Sequence, residues 1–161
     1  MPRTATRTTT SRARASRTPN AINMLTQDHA EVRKMFKQFE KLEEGDKAEK
    51  SELVRRICAA LSVHAQIEEE ILYPALRDAI DAKDLLDEAE VEHASAKDLI
   101  AQLDGMRPGD ALYDAKVTVL GEYVDHHIKE EEKEMFPKMR KAKLDLEELG
   151  EQIGARKQQL Q

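Results

Sequence analysis

The chain has 161 residues, a formal net charge of −6, a single Cys, no Trp, and only three Tyr and three Phe. That length allows one domain with a real core, while scarce Gly (6) and Pro (5) beside abundant Ala, Leu, Glu and Lys favour helices over sheets. Cys58 has no internal disulfide partner, and no apolar run approaches the roughly 20 residues of a membrane span; a reducing, aqueous, cytoplasmic setting is expected.

Residues 1–19 carry five Arg and no acid, which leaves −6 − 5 = −11 for the remainder. This Thr, Ser, Arg and Ala leader has almost nothing to bury and is predicted to be a disordered basic tail. Its composition resembles that of an organelle transit peptide, but it has hardly any apolar face, and it contains no apolar stretch for a secretory signal. As a basic arm it suits contact with nucleic acid or acidic partners. The acidic body nevertheless argues against nucleic acid as the main partner.

From Asn20 onward, apolar residues recur at the three-four spacing of a helix packed on one side. The first stripe is Ile22, Leu25, His29, Val32, Phe36 and Phe39, ending near Glu43-Glu44-Gly45-Asp46. The second is Leu53, Ile57, Ala60, His64, Ile67 and Ile71; Pro74 is expected to kink or end it, with residues 75–80 continuing. The third is Leu86, Ala89, His93, Ala96, Ile100 and Leu103, before Gly105-Met106-Arg107-Pro108-Gly109. The fourth is Tyr113, Val117, Leu120, Val124, His127 and Glu131, before Pro137. Leu146, Leu149 and Ile153 mark a short C-terminal helix over one end, weakened by Gly150 and Gly154. The prediction is an all-α, up-down-up-down four-helix bundle over residues 20–140 with a helical extension over 141–161.

Each of the four stripes contains one histidine. A single His on an apolar stripe is ordinarily a core residue with a hydrogen-bond partner. Four of the five His in core phase on four helices, two of them with a Glu one turn later, are another matter. Uncompensated burial of that many titratable groups costs several kcal/mol each, and metal ligation removes the difficulty.

An internal repeat reinforces this. His64-Ala65-Gln66-Ile67-Glu68 ends six residues before Pro74, and His127-Ile128-Lys129-Glu130-Glu131 ends six before Pro137, with an aromatic (Tyr73, Phe136) before each Pro. The lone histidines precede these blocks by 64 − 29 = 35 and 127 − 93 = 34 residues. Each half is therefore a helical hairpin carrying His and then His-x-x-x-Glu, and two half-sites imply two metals. Residues four apart share a helix face, about 5–6 Å between Cβ atoms, so His and Glu converge on one ion or the carboxylate bridges two. Helix phase selects His127 over His126, which points about 100° away. Glu69, Glu70, Glu130, Glu132 and Glu134 read as a solvated acidic face. The candidate metal ligands are His29, His64, Glu68, His93, His127 and Glu131.

Asp28-His29, His-x-x-x-Glu before Tyr-Pro, the single His93, and His-x-x-x-Glu before Phe-Pro resemble the hemerythrin-like (HHE cation-binding) domain over roughly residues 20–140. The resemblance implies a non-haem di-iron centre inside the bundle, held by the six residues named. It also implies reversible oxygen binding, iron or oxygen sensing, or reactions with peroxide or nitric oxide. Oxygen-carrying members have a seventh ligand, a second His one turn after the third-helix His, where this chain has Lys97. A protonated Lys cannot ligate, so water or another carboxylate, with Glu90 nearest, is expected to complete the shell. Leu25, Val32, Phe36, Ile67, Ile71 and Val124 are the expected apolar walls.

Imidazole and carboxylate donors suit iron, manganese or zinc, and the lack of thiolate disfavours a cysteine-built structural zinc site. The first functional reading is a di-iron protein that binds or responds to dioxygen, iron or redox state. The alternative is a di-iron enzyme acting on peroxide, nitric oxide or ferrous iron, although the Glu-x-x-His motif of ferritin-like sites, wanted twice, occurs once, at Glu90 to His93. A purely structural bundle is the third.

Overall fold

The computed structural model describes residues 20–42 and 46–161. The segment predicted to be a disordered basic tail, residues 1–19, and residues 43–45 lie outside them. Helix α1 (Ala21–Lys41) starts where the Asn20 side chain accepts a hydrogen bond from the Asn23 amide at 2.9 Å, satisfying one of the unpaired donors of the first turn. Helix α2 (Lys47–Ile67) runs into one π-helical turn, Glu68–Leu72, and then α3 (Tyr73–Ala79). Helix α4 (Lys83–Asp104) follows. Helix α5 (Tyr113–Glu130) again passes through a π turn, Glu131–Met135, into α6 (Phe136–Lys141), and α7 (Leu146–Leu160) ends the chain. Leu112, at φ 69°, turns the backbone into α5.

The two π turns sit at equivalent points of the repeat. In each, the amide of the aromatic before proline (Tyr73, Phe136) donates to the carbonyl of the block's Glu (Glu68, Glu131), five residues back. The following Pro has no amide to give, so the α-helical ladder must break there. A π turn lets the rod continue with one extra residue and a rotated face. Pro74 accordingly does not end the helix.

The rotation corrects one element of the second stripe. Leu72, not Ile71, is fully buried, with Tyr73 and Leu76, and in the second half Met135 and Phe136 take the corresponding places. Phe36, assigned to the first stripe, is only partly buried, while Met35 faces inward.

Packing closes α1, α2, α4 and α5 into a ring: α1 lies against α2 and α5, and α4 against α5 and α2. Close approach of α5 to α1 depends on Gly121, where a Cβ would sit 3.1 Å from the Phe36 ring. Helix α7 is longer than a simple end cap. It lies along α1, α2 and the first π turn, burying Leu149 and Ile153, each worth about 1.5–3 kcal/mol of hydrophobic transfer. Asp145 caps it, accepting from the Glu148 amide at 3.0 Å. Among the described residues no helix is long and apolar enough to cross a membrane.

The apolar interior has two parts. One contains Leu25, Ile67, Leu72, Tyr73, Leu86, Phe136, Met139 and Ile153. The other contains Val32, Phe39, Ile57, Leu61, Leu103, Val117, Leu120 and Val124. Between Leu25 and Val32 in α1, between Leu61 and Ile67 in α2, and beyond Val124 in α5, the stripe residue is a histidine. The polar layer therefore lies across the bundle between two apolar masses.

Candidate metal centre

All six predicted ligands are buried: Glu68 has no exposed surface, and His29, His93, His127 and Glu131 are each below a tenth exposed. His64 is close behind, its side chain 11% exposed. Their donor atoms fall into two groups within 4.8 Å, His29 with His64 and Glu131, and His93 with His127 and Glu68. The carboxylates are thus exchanged between the halves of the repeat. Glu68, from the block of His64, joins the histidines of α4 and α5; Glu131, from the block of His127, joins those of α1 and α2.

Each carboxylate nevertheless keeps contact with its own helix. Glu68 Oε1 lies 3.1 Å from His64 Nε2, 3.4 Å from His93 Nε2 and 3.9 Å from His127 Nε2. Glu131 Oε1 lies 2.7 Å from His127 Nε2 and 3.6 Å from His29 Nε2. Both carboxylates stand between the two histidine pairs, where either could serve as a donor to a cation held in either trio. The His29 and His64 rings are 5.0 Å apart and the His93 and His127 rings 4.8 Å apart, both nearly edge to face.

The donor set fits metal on direct observation. Both oxygens of Glu68, both of Glu131, and Nε2 of His29 and of His64 are buried without a hydrogen-bond partner. Leaving buried polar atoms unpaired costs about 1–3 kcal/mol each, and more for charged groups. Two cations, one per trio, would satisfy all of them.

Protonation shows the same demand. Burial alone would depress the His64 pKa, but the Glu68 carboxylate, aided by Asp28, pushes it up to about 10. Burial likewise opposes charge on His127, yet Glu131 holds its pKa well above the usual imidazole range. Glu68 is held well below the usual carboxylate range against its burial, chiefly by His64. Protons thus occupy the role a metal would take over.

Behind the histidines stands an outer ring of carboxylates. His29 donates from Nδ1 to Glu132 Oε1 (3.0 Å) and His64 from Nδ1 to Asp28 Oδ2 (3.1 Å), which fixes the tautomer and aims Nε2 inward. Glu92 Oε2 is 3.6 Å from His127 Nδ1, and Glu69 Oε1 is 3.7 Å from His93 Nδ1. Lysine and arginine support three of these four: Lys157 of α7 donates to Asp28, Arg33 lies 3.7 Å from Glu132, and Lys97 holds Glu69 at 2.6 Å.

Glu69 and Glu132 are therefore more than a solvated acidic face. Glu90 is not near the shell: it is mostly exposed and accepts from Arg77 at 2.9 Å, because the inward line of α4 runs through Leu86, Ala89 and His93. His126 is also outside the buried group, its side chain 67% exposed and 3.2 Å from Glu130.

Sequence reading missed the role of Tyr73. Its hydroxyl lies 3.3 Å from both His93 Nε2 and His127 Nε2. Burial, then the Glu68 and Glu131 carboxylates, push its pKa well above the ordinary phenol range, so it is a hydrogen-bond donor facing the two inner histidines. Its place in both halves, aromatic before proline, was the available signal. On the other side Phe136 instead stacks on His29 at 5.9 Å.

A cavity of about 50 Å³ opens beside the centre, touching His64, Glu92, His93, Lys97, Tyr123, Val124 and His127. Of the expected walls, Val124 lines it, while Leu25, Val32 and Ile67 are buried in the flanking cores.

The Hemerythrin HHE cation binding domain family matches residues 20–139. A curated relative from Nostoc sp., named DNA nickase, is 27% identical over 124 residues, 75% of this chain and 34% of that protein. The chain thus spans about a third of that relative's length. A crystal structure of a hemerythrin HHE cation binding domain-containing protein from Mycobacterium kansasii superposes with a TM-score of 0.76 at 26% identity, covering 88% of this chain and 87% of that one. The family match extends over most of the chain and takes in all six buried donors, and the chain belongs to the hemerythrin HHE cation-binding domain family.

Proposed function

We propose that the two trios hold a pair of iron ions and that the protein binds or responds to dioxygen, iron or redox state. The carrying observation is the pair of fully buried carboxylates with four unpartnered oxygens set between two histidine pairs. Imidazole and carboxylate donors without thiolate favour iron over a cysteine-type zinc site. When bound, such a pair supplies redox chemistry and open coordination positions for a small ligand. The chain's own part is to orient Nε2 through the outer carboxylates, to exclude bulk water with two apolar cores, and to offer the Tyr73 hydroxyl as a proton donor beside His93 and His127.

The cavity size supports a ligand of few atoms. About 50 Å³ admits dioxygen, nitric oxide or peroxide, since roughly 10–15 Å³ on the same measure already holds one water. Lys97, at the position where oxygen carriers place another His, is engaged with Glu69, which weakens the case for stable oxygen carriage. That favours the second reading, an enzyme acting on peroxide, nitric oxide or ferrous iron. Nicking belongs to the longer Nostoc relative by its name. In this chain the acidic body, −11 without residues 1–19 by the difference −6 − 5, opposes duplex binding.

The deciding experiment is metal analysis of iron-loaded protein with optical spectra of the reduced form before and after addition of oxygen, then of peroxide. Two irons per chain and an oxygen-dependent absorption change are expected. A single iron, or a spectrum indifferent to both additions, rejects this reading.

A further inference from the structure

Of the four outer carboxylates, Glu92 is the exception. Asp28, Glu69 and Glu132 each have a Lys or Arg partner. Among the described residues no Lys or Arg reaches Glu92, and none reaches Glu130, its neighbour across α4 and α5. Glu92 Oε2 is buried without a hydrogen-bond partner. It approaches only His127 on its inner side, while on its outer side it meets His126 and Glu130.

Those three residues form a group of their own. One ligand atom each from Glu92, His126 and Glu130 lie within 4.8 Å of one another. His126 Nε2 is 3.2 Å from Glu130 Oε1 and its side chain is 67% exposed. Helix spacing accounts for the arrangement: His126 and Glu130 are one turn apart on α5, and Glu92 faces them from α4, which packs against α5. Two carboxylates brought together in this way repel. Two carboxylates and one imidazole at a surface form a donor set for a divalent transition-metal ion.

The placement also gives direction. Glu92 belongs to the outer cluster, lines the cavity with His93 and His127, and lies 3.6 Å from His127 Nδ1. We infer that Glu92, His126 and Glu130 bind a divalent cation at the surface and pass ferrous iron to the buried centre by way of Glu92. The outer site binds weakly and exchanges readily, because His126 is exposed and the donors come from a solvated helix face. The delivery step rests on the proposed two-metal reading of the interior; the outer site does not.

The test uses the full chain, stripped of metal, and ferrous iron under anaerobic conditions. Equilibrium dialysis counts bound ions before and after a mild chelator, and stopped-flow follows filling of the interior. Wild type is expected to hold two chelator-resistant ions and one readily removed. The His126→Ala/Glu130→Gln variant is expected to lose the removable ion, keep the resistant pair, and fill the interior more slowly. His64→Ala/His93→Ala is expected to lose the resistant pair and keep the removable ion. Absence of a removable ion in wild type, or its persistence in the His126/Glu130 variant, overturns the outer site. Its loss with an unchanged filling rate overturns the delivery role. Failure to find resistant ions in wild type counts against the two-metal reading alone, since the removable ion is measured separately.

Discussion

The Nε2 atoms of His93 and His127 lie 3.2 Å apart inside the bundle, too close for two imidazole lone pairs to face one another without a proton or cation between them or beside them. Glu68 supplies the negative charge, 3.4 Å from one nitrogen and 3.9 Å from the other. Removing that charge while keeping its shape should therefore be selective. Glu68→Gln is expected to lose at least one metal ion per chain while retaining the helical fold, read by metal analysis and far-UV circular dichroism. Retention of full metal content would show that Glu68 serves packing only.

Metal should stabilise the protein with a defined pH dependence. Against its burial, the Glu68 carboxylate pushes the His64 pKa up to about 10 from an unperturbed 6.5. A raised histidine contributes stability that is fully present below 6.5 and fades as pH rises through about 10. Metal binding displaces that proton, so metal affinity rises across the same window. The melting temperature gap between loaded and stripped protein should widen from pH 6.5 upward, as measured by calorimetry. A gap that narrows with pH contradicts protonation of His64.

Much of this was legible in the sequence. Four stripes with a histidine in each gave four helices and an inward polar layer, and the repeated His-x-x-x-Glu block marked the buried carboxylates Glu68 and Glu131. Three features were hidden for physical reasons. Each π turn adds one residue and rotates the face that follows, so Leu72 rather than Ile71 enters the core. The exchange of Glu68 and Glu131 between trios depends on side-chain reach across the bundle, which spacing along one helix does not encode. In runs such as Glu68-Glu69-Glu70, all three residues carry the same charge, and only the geometry shows that Glu69 turns toward His93 while Glu70 pairs with Arg156.

The rotated face can be checked by stability. Leu72 is fully buried and Ile71 only partly. Leu72→Ala is expected to cost about 2–5 kcal/mol, the range for large-to-small changes in a core, and Ile71→Ala clearly less. Denaturant unfolding of the two variants decides; equal losses would mean the helix continues without the extra residue.

Helix α7 reaches the centre through Lys157, Asp28 and His64, although it lies beyond the family match ending at residue 139. Asp28→Ala should weaken metal retention by about 10–100-fold, the usual effect of losing the carboxylate behind a ligating histidine. Lys157→Ala should weaken it less, since Asp28 keeps its bond to His64. Chelator competition measures both. If neither changes retention, α7 contributes packing alone.

The adjacent histidines of α5 give the sharpest contrast. His127 lies under a tenth exposed, 2.7 Å from Glu131 and 3.3 Å from the Tyr73 hydroxyl; the His126 side chain is 67% exposed and faces Glu130. His127→Ala is expected to release metal from the trio it shares with His93 and Glu68, and also to destabilise the stripped protein. The reason for the second effect is that Glu131 would lose its nearest cation and keep only the more distant His29 Nε2 at 3.6 Å, a loss approaching the range of about 3–5 kcal/mol for a broken buried pair. His126→Ala removes no buried donor, so both chelator-resistant ions and the melting temperature should stay near wild type. Metal analysis after chelator treatment, paired with thermal unfolding, separates the two variants. Loss of the resistant ions from the His126 variant together with their retention in the His127 variant would mean that α5 is rotated by one residue and that Glu131 pairs with His126 instead.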